Sequence, residues 1–324
     1  MARYHRITTY NEDTGEKINT QLIKYNENVI GNKLITEKQE DRNKKFKDKV
    51  NSIESIKDFI QSNEGSYYHL IYKYGYPIMD KLQTKYNGNK SNIHIIRFIQ
   101  LANHVTFGGK LFDENRNKIK KSSLKNIWKV DNRNSINETY DILKECGYIY
   151  ETEEGYIMIN ENIIVKGAIE EFKKLHKDDE NLTYTRIFTN NLKDLYEGTK
   201  PTQRKQLANL FKILPFINFT HNIFCDNPKE KDKNKLQLLN WTDLARLCGE
   251  NEKNVTRFKR ELFKLKIYNY NVIGEFKTGD NYYIVVNPKI YYGGNDVDNV
   301  QFLYKSFEIC ENNKSKYKKA MNNS

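Results

Sequence analysis

The chain has 324 residues, of which 38% are hydrophobic and 30% are charged, and it carries a formal net charge of +12. This length and composition allow two domains of ordinary size, each with a real hydrophobic core. The positive charge favours an anionic partner, above all nucleic acid, although a lysine-rich surface that only keeps the chain solvated is the simpler alternative.

Cysteine usage and hydropathy favour a cytoplasmic protein, in a bacterium or in its host. The cysteines form no C-x-x-C pair, which is typical of a reducing compartment; they are Cys146, Cys225, Cys248 and Cys310. The opening MARYHRITTY lacks the apolar core of a signal peptide. No apolar run approaches the ~18 residues that a membrane span needs, so we expect no membrane partner.

Two features precede the first predicted domain. Polar and apolar residues alternate on either side of Asp13-Thr14-Gly15, which predicts a β-hairpin. Residues 36–50, TEKQEDRNKKFKDKV, are densely charged and predict a linker or an exposed helix. Residues 1–50 are therefore interpreted as a hairpin arm followed by a charged linker.

The first half then predicts a helix, a strand, two more helices and a hairpin. NIHIIRFIQLANHV has helical apolar spacing from Ile93 to Leu101, and TFGGKLF follows as a strand. SSLKNIWKVDNRNSINETYDILKECGYI gives two helices around the turn VDNRN, with Ser122 or Ser123 as the first N-cap. GYIY, the turn ETEEGY and the strand after it predict the hairpin.

The second half repeats this order after a boundary at KKLHKDDEN, residues 173–181. PTQRKQLANLFKILPF predicts the opening helix from Pro201, and INFTHNIF predicts the strand. CDNPKEKDKNK is a polar loop whose lysines would be available to phosphates. NWTDLARLCGENEKNVTRFKRELFKLKI gives two helices, with Asn240 or Thr242 as N-cap, and a hairpin forms around FKTGDNY.

One phrase occurs in both halves. Residues 156–167 read YIMINENIIVKG, and residues 283–294 read YIVVNPKIYYGG, and the two align without a gap. The apolar positions of the helix pairs also match, since residues 136–146 follow the spacing of residues 255–265. A duplicated helix, turn, helix and hairpin is the layout of two tandem winged helices. Superposing residues 124–167 on 244–294 should therefore match helix, helix and hairpin.

The predicted fold class is α+β and mainly helical, with two tandem winged-helix domains. Their bounds are 51–167 for the first domain, 168–182 for a linker, 183–295 for the second domain and 296–324 for a C-terminal extension. The extension ends in ENNKSKYKKAMNNS, a basic tail predicted to be disordered.

The second half resembles a known group of proteins. The stretch LYEGTKPTQRKQLANLFKILPFINFTHNIFCDNP and the ending VNPKIYYGGN look like replication and regulatory proteins of phages and plasmids of Gram-positive bacteria. The ending is similar to the NP-x-hydrophobic-x-x-G close of Firmicute plasmid replication proteins. Two winged helices are the plan of iteron-binding plasmid replication initiators. The resemblance covers residues 90–295 and departs at Glu161, where the first copy lacks the proline of Pro288.

The resemblance implies that two winged helices bind the repeats of a replication origin. It also implies that the first of them serves in dimerisation, and that host replication proteins are further partners.

The outward faces of the two turn-following helices differ in charge. The second helix offers donors for base edges and phosphates, and Lys277 of its hairpin adds another. The donors of the helix are Lys253, Asn254, Thr256, Arg257, Arg260 and Lys264. The first helix turns carboxylates outward, at Glu138, Asp141 and Glu145, which phosphates would repel. It is predicted to touch DNA only with its N-terminal end, through Arg133, Asn134 and Asn137, or to serve a protein contact. A solvated basic face is the alternative for the second helix.

No catalytic or metal-binding pattern is found. The sequence lacks G-x-x-x-x-G-K-[ST], and its six histidines never take the His-hydrophobic-His spacing of a rolling-circle endonuclease. His94 and His104 are expected in or near the core rather than as ligands. We therefore expect a non-enzyme without metal or cofactor.

The leading interpretation is a sequence-specific binder of double-stranded DNA that initiates plasmid or phage replication. The alternatives are a phage or plasmid transcription or partition regulator, and a protein-interaction module built from winged helices.

Overall fold

The computed structural model describes residues 4–10, 17–24, 44, 66–85, 89–167, 169–176, 182–278, 281–294 and 296–322. The chain forms two compact units, Met1–Asp58 and Phe59–Ser324. In the smaller unit β1 (Tyr4–Tyr10) pairs antiparallel with β2 (Lys17–Lys24), which confirms the predicted hairpin. Its predicted turn residues, and the charged segment 36–50 apart from Lys44, lie outside the described residues.

The larger unit is α+β, and about half of its described residues are helical. Its first half, residues 66–167, contains β3 (Tyr67–Ile71), α1 (Tyr72–Lys85), α2 (Asn89–Ala102), α3 (Leu124–Trp128), α4 (Arg133–Glu145), β4 (Ile149–Glu151), β5 (Ile157–Ile159) and β6 (Ile164–Val165). Strands β4 and β5 form an antiparallel hairpin directly after the two helices α3 and α4, as the sequence predicts.

The second half begins after α5 (Ile169–Leu175) and repeats this order. It contains β7 (Tyr184–Phe188), α6 (Thr189–Gly198), α7 (Lys205–Ile213), α8 (Trp241–Leu247), α9 (Val255–Phe263), β8 (Lys266–Ile267), β9 (Tyr270–Asn271), β10 (Ile273–Thr278), β11 (Asn281–Val286) and β12 (Tyr291–Tyr292), and α10 (Val297–Asn322) follows. Strands β10 and β11 form the second antiparallel hairpin. Helix, helix and hairpin are thus present in both halves.

Polar caps and buried stripes explain the paired helices. Asn240 caps α8 by accepting from the backbone of Thr242, and Asn132 caps α4 in the same way. Ser123 lies at the N-cap of α3, as predicted, but its side chain makes no cap hydrogen bond with the helix. On α2 the predicted core residue Ile93 is 38% exposed, because it lies at the rim of the stripe that ends at the fully buried Leu101.

A four-stranded antiparallel sheet joins the two halves. Its strand order is β12-β7-β3-β6, so each half contributes one inner and one edge strand. His69 lies opposite Arg186 at the middle of the central pair. The backbone hydrogen bonds at its two ends are reciprocal: the nitrogen of Tyr72 donates to the oxygen of Thr183, and that of Thr189 to Ser66, each at 2.9 Å. The strand order and the pairing within the sheet are therefore symmetric about the His69–Arg186 pair.

The repeated phrase closes each hairpin with the same asparagine. Asn160 donates from Nδ2 to the oxygen of Gly147 at 2.9 Å, and Asn287 donates in the same way to Asn271 at 3.0 Å. Each Oδ1 also accepts from the backbone nitrogen two residues later, at 3.0 Å. Each asparagine thus fixes the chain as it leaves the hairpin for the edge of the shared sheet.

The glycines that end the phrase make room for an aromatic ring. A Cβ on Gly167 would lie 2.0 Å from the ring of Phe107, and one on its match Gly294 would lie 2.6 Å from the hydroxyl of Tyr292 and 2.9 Å from the backbone oxygen of Phe219. Both phenylalanines belong to the segment after the opening helix of their half. The glycines of the phrase therefore serve packing in both copies.

Helix α10 corrects one expectation about the C-terminal extension. It runs from Val297 to Asn322, through most of the tail that the sequence predicts to be disordered. Its first turns are anchored because Val300, Leu303 and Phe307 are buried. Once nucleated there, the Lys-, Glu- and Ala-containing continuation has adequate helix propensity.

Candidate nucleic-acid interface

Helix α9 and the residues at its two ends contain most of the predicted DNA-contacting residues. Phe258 and Leu262 are buried in the core, which turns the opposite face of the helix outward. The exposed predicted residues are Lys253, Thr256, Arg257, Arg260 and Lys264, and Lys277 is exposed on the hairpin. Asn254 is half-buried and lies in the 3₁₀ turn Glu252–Asn254 before the helix.

Several of these cations have carboxylate partners that the sequence did not predict. Arg257 Nη2 lies 3.3 Å from Glu250 Oε2, and Lys264 Nζ lies 2.8 Å from Glu261 Oε1. Arg260 Nε lies 3.8 Å from the same oxygen of Glu261. All three cations are about half exposed or more, whereas the side chains of Glu250 and Glu261 are only 29% and 18% exposed. The cations therefore keep an open side toward solvent while they are paired.

A half-buried carboxylate connects α9 to its hairpin. Glu275 on β10 accepts from Lys259 Nζ at 2.8 Å and from Trp241 Nε1 at 2.8 Å. Burial alone would raise the pKa of Glu275, but the hydrogen bonds from Lys259 and Trp241 outweigh it and hold the pKa below its usual value. The hairpin is thereby fixed against both α8 and α9, and Lys259 is engaged in an ion pair within the protein's own structure.

The first half repeats this helix–hairpin contact. Glu151 and Glu275 occupy equivalent positions in the two hairpins. The backbone nitrogen of Asn160 donates to the oxygen of Tyr148, and that of Asn287 donates to the oxygen of Val272. Each glutamate lies three residues after that acceptor. Glu151 accepts from the hydroxyl of Tyr140 at 2.7 Å and from Lys144 Nζ at 3.0 Å, both on α4. These two hydrogen bonds, led by that of Tyr140, lower the pKa of Glu151. Register cannot be read from sequence to this accuracy, so neither glutamate could be singled out in advance.

Lysines from neighbouring elements pair with two of the carboxylates on the outward face of α4. Asp141 lies 3.4 Å from Lys121 Nζ, and Glu145 pairs with Lys85 of α1. At the N-terminal end of the helix, Arg133 and Asn134 are exposed and Asn137 is half-buried. Glu138, Asp141 and Glu145 are exposed, as the sequence predicts, and lysines from neighbouring elements pair with Asp141 and Glu145.

The histidines act as core and turn residues. His94 Nδ1 lies 3.0 Å from the hydroxyl of Thr139, and burial lowers the pKa of His94 to about 4. His104 Nδ1 lies 3.2 Å from the oxygen of Phe112. Within the described ranges, no three His, Cys, Asp or Glu side chains are grouped so that they could hold a metal ion.

None of the helices in the described part of the chain is both long enough and apolar enough to cross a membrane. No protein-family model matches the chain, and no curated protein or solved structure is significantly similar to it.

Proposed function

We propose that the protein binds double-stranded DNA with sequence specificity through two winged helices, of which the second is the main reader. The observation that supports this most is the outward face of α9, where exposed cations and donors stand opposite the buried stripe of Phe258 and Leu262. In this arrangement α9 enters the major groove, and the hairpin β10–β11 is the wing that follows the backbone.

The chemistry of the face divides into base and phosphate contacts. Arg257 and Arg260 can each donate two hydrogen bonds to a guanine, whereas Lys253, Lys264 and Lys277 act as point charges toward phosphates. Glu275 keeps the hairpin beside α9, so the two sets of contacts act on one stretch of duplex. The net charge of +12 adds long-range attraction.

The role that fits this binder best is initiation of plasmid or phage replication at origin repeats. The support is the resemblance of residues 90–295 to such initiators, together with the duplicated layout and the symmetric strand order of the shared sheet. Dimerisation through the first half and recruitment of host replication proteins belong to the same proposal. A transcription or partition regulator would use the same interface, and only the biological readout separates the two.

Binding to duplex DNA should show strong dependence on salt. With roughly 5–8 phosphate contacts, the affinity should fall by a few orders of magnitude between low and moderate salt. The measurement is fluorescence anisotropy with a library of random duplexes, followed by selection of the bound sequences. A flat salt response, or no binding at low salt, would exclude the proposal.

The replication role has its own test. A circular plasmid that carries the gene for this protein and the DNA that flanks it, and no other replication gene, should be maintained in the host. Direct or inverted repeats in that flanking DNA should be the sequences that the selection recovers. Selective binding without plasmid maintenance would favour a regulator instead.

A further inference from the structure

The two hairpins, β4–β5 and β10–β11, differ on the side that faces away from helices α4 and α9. In the first half this surface, the outer face of the first hairpin, is formed by Lys110, Lys118, Lys120, Tyr150, Tyr156 and Met158. Lys110 bridges to Met158 and Lys120 to Tyr156, and Tyr150 pairs with Met158. Because side chains alternate along a strand, the intervening Ile119 and Ile157 point the other way and are buried.

The lysines of this face are exposed and arranged around a tyrosine ring. Lys118 Nζ and Lys120 Nζ lie 4.6 Å and 4.7 Å from the centre of the Tyr156 ring. Within the described residues, none of the three lysines makes an ion pair. Tyr150 is 44% exposed at the other end of the face.

The acidic groups nearby lie at the two ends of this face. Glu153 and Glu154 belong to the hairpin turn, where a hydrogen bond from Thr152 holds the pKa of Glu154 below its usual value and Lys118 adds to the effect. Glu161 lies at the far end, where burial and then the charge of Glu161 raise the pKa of Tyr150. The middle of the face is therefore cationic and aromatic.

In the second half the equivalent face is apolar and covered. Ile223 bridges to Val285 as Lys110 bridges to Met158, and Phe276 pairs with Tyr283. Helix α10 lies across this face, with the ring of Phe307 5.8 Å from that of Phe276. A cavity of about 660 Å³ remains beneath the helix. One copy of a duplicated surface is thus covered by the chain itself, and the other copy is open.

We propose that the outer face of the first hairpin binds the phosphate backbone of duplex DNA, as a surface separate from α9. Its charge is complementary to phosphate, and its lysines are held in place by the Tyr156 ring. Helix α10 of a second copy is the less suitable occupant, because Val300, Leu303 and Phe307 are already buried in their own copy. The large apolar side chains that this helix exposes, Phe302 and Ile309, offer no charge complementary to the lysines. The inference rests on the proposed function, since it assigns a second contact for the same ligand.

The test is the charge reversal Lys118→Glu with Lys120→Glu in the full chain. Removing about two phosphate contacts should weaken binding to a duplex of about 40 base pairs by roughly tenfold to a hundredfold at moderate salt. It should also reduce the slope of log affinity against log salt by about 2. The preferred sequence should stay that of the wild type, because α9 is unchanged.

The matched control is Lys174→Glu with Lys305→Glu, which changes charge equally at two other exposed lysines. It should change affinity much less. Equal effects of the two double variants would mean that only net charge matters, and would overturn the inference.

Other outcomes separate the inference from the proposed function. If the wild type binds no duplex, the proposed function fails first. If the wild type binds and Lys118→Glu with Lys120→Glu binds equally well, only this inference fails. If the double variant loses affinity for single-stranded DNA alone, the face binds single strands instead. If it changes oligomeric state in sedimentation experiments while its affinity for DNA stays constant, the face is a contact between copies of the chain.

Discussion

Asn160 and Asn287 carry the duplication at the scale of single residues. Each uses its side-chain nitrogen and oxygen to join the chain just before its hairpin to the turn after it, through the same pair of hydrogen bonds. Ile163 and Ile290, three residues later, are both completely buried. These two pairs of identical residues thus have equivalent roles in the two halves: the asparagines bind the backbone, and the isoleucines fill the core.

Replacing Asn287 with alanine should lower the free energy of unfolding by about 1–3 kcal/mol. The change leaves the oxygen of Asn271 and the nitrogen of Lys289 without their partner in a region where Asn287 is 1% exposed. Urea unfolding followed by circular dichroism measures the loss. Asn234→Ala is the matched control, since Asn234 is exposed and should change stability by less than about 0.5 kcal/mol. Equal stability of both variants would contradict the anchoring role.

The arginines of α9 and the carboxylates of α4 should respond oppositely. Arg257→Ala and Arg260→Ala should each cost about 1–3 kcal/mol in discrimination between a cognate and a scrambled duplex, if the side chain reads a base. Asp141→Ala and Glu145→Ala should leave binding unchanged or slightly tighter, since each change releases a lysine from its ion pair. Anisotropy at fixed salt compares the four, with circular dichroism as the folding control. Wild-type binding by the arginine variants would place the reader in the other half.

At the scale of elements, the helix–hairpin contact sets where the wing lies beside the reading helix. Glu275 is reached by donors from two helices, and Glu151 holds the corresponding place in the first half. Because charged hydrogen bonds are stronger than neutral ones, each contact can fix an orientation as well as add stability.

The Glu275 contact should make stability depend on pH. The pKa of Glu275 is lower in the folded protein than its usual value of 4.5, so the contribution is complete above that value and is lost as the pH falls through the folded pKa. Glu275→Gln should therefore be less stable than wild type by about 1–3 kcal/mol near neutral pH. The difference should shrink as the solution is acidified below about pH 4.5, as unfolding at a series of pH values would show. A difference that does not change with pH would assign the loss to packing.

Elements could be predicted where local periodicity determines them, and were missed where distant partners decide. The stripe from Val255 to Leu265 and the cap Asn240 are local signals, and they predict α8 and α9 well. The β3–β7 pairing joins residues more than a hundred positions apart, and nothing local in either strand names the other. The partners Glu250 of Arg257 and Glu275 of Lys259 depend on turn geometry and register, which a linear pattern does not contain.

At the scale of the whole larger unit, the halves share a core as well as a sheet. Asn92 of α2 donates to Asn209 of α7 at 3.3 Å, and the hydroxyl of Tyr196 donates to the oxygen of Trp128 at 2.9 Å. Strands β3 and β7 pair along their whole length. A half that stood alone would expose one side of its inner strand and the apolar face of its opening helix.

The two halves should therefore unfold together, and the two tryptophans of the chain can show it. Trp128 is buried in the first half and Trp241 in the second, so each single-tryptophan variant reports on one half. Trp128→Phe removes the hydrogen bond from the indole to the oxygen of Arg97 and should destabilise the first half by about 1–3 kcal/mol. If the halves are coupled, the fluorescence of Trp241 in this variant should lose its native signal at a correspondingly lower urea concentration, at the same midpoint as circular dichroism. Trp241→Phe provides the reciprocal measurement through Trp128. A Trp241 transition that stays at its wild-type midpoint in the Trp128→Phe variant would show that the halves fold as independent domains joined by a linker, and that the shared sheet contributes little to their stability.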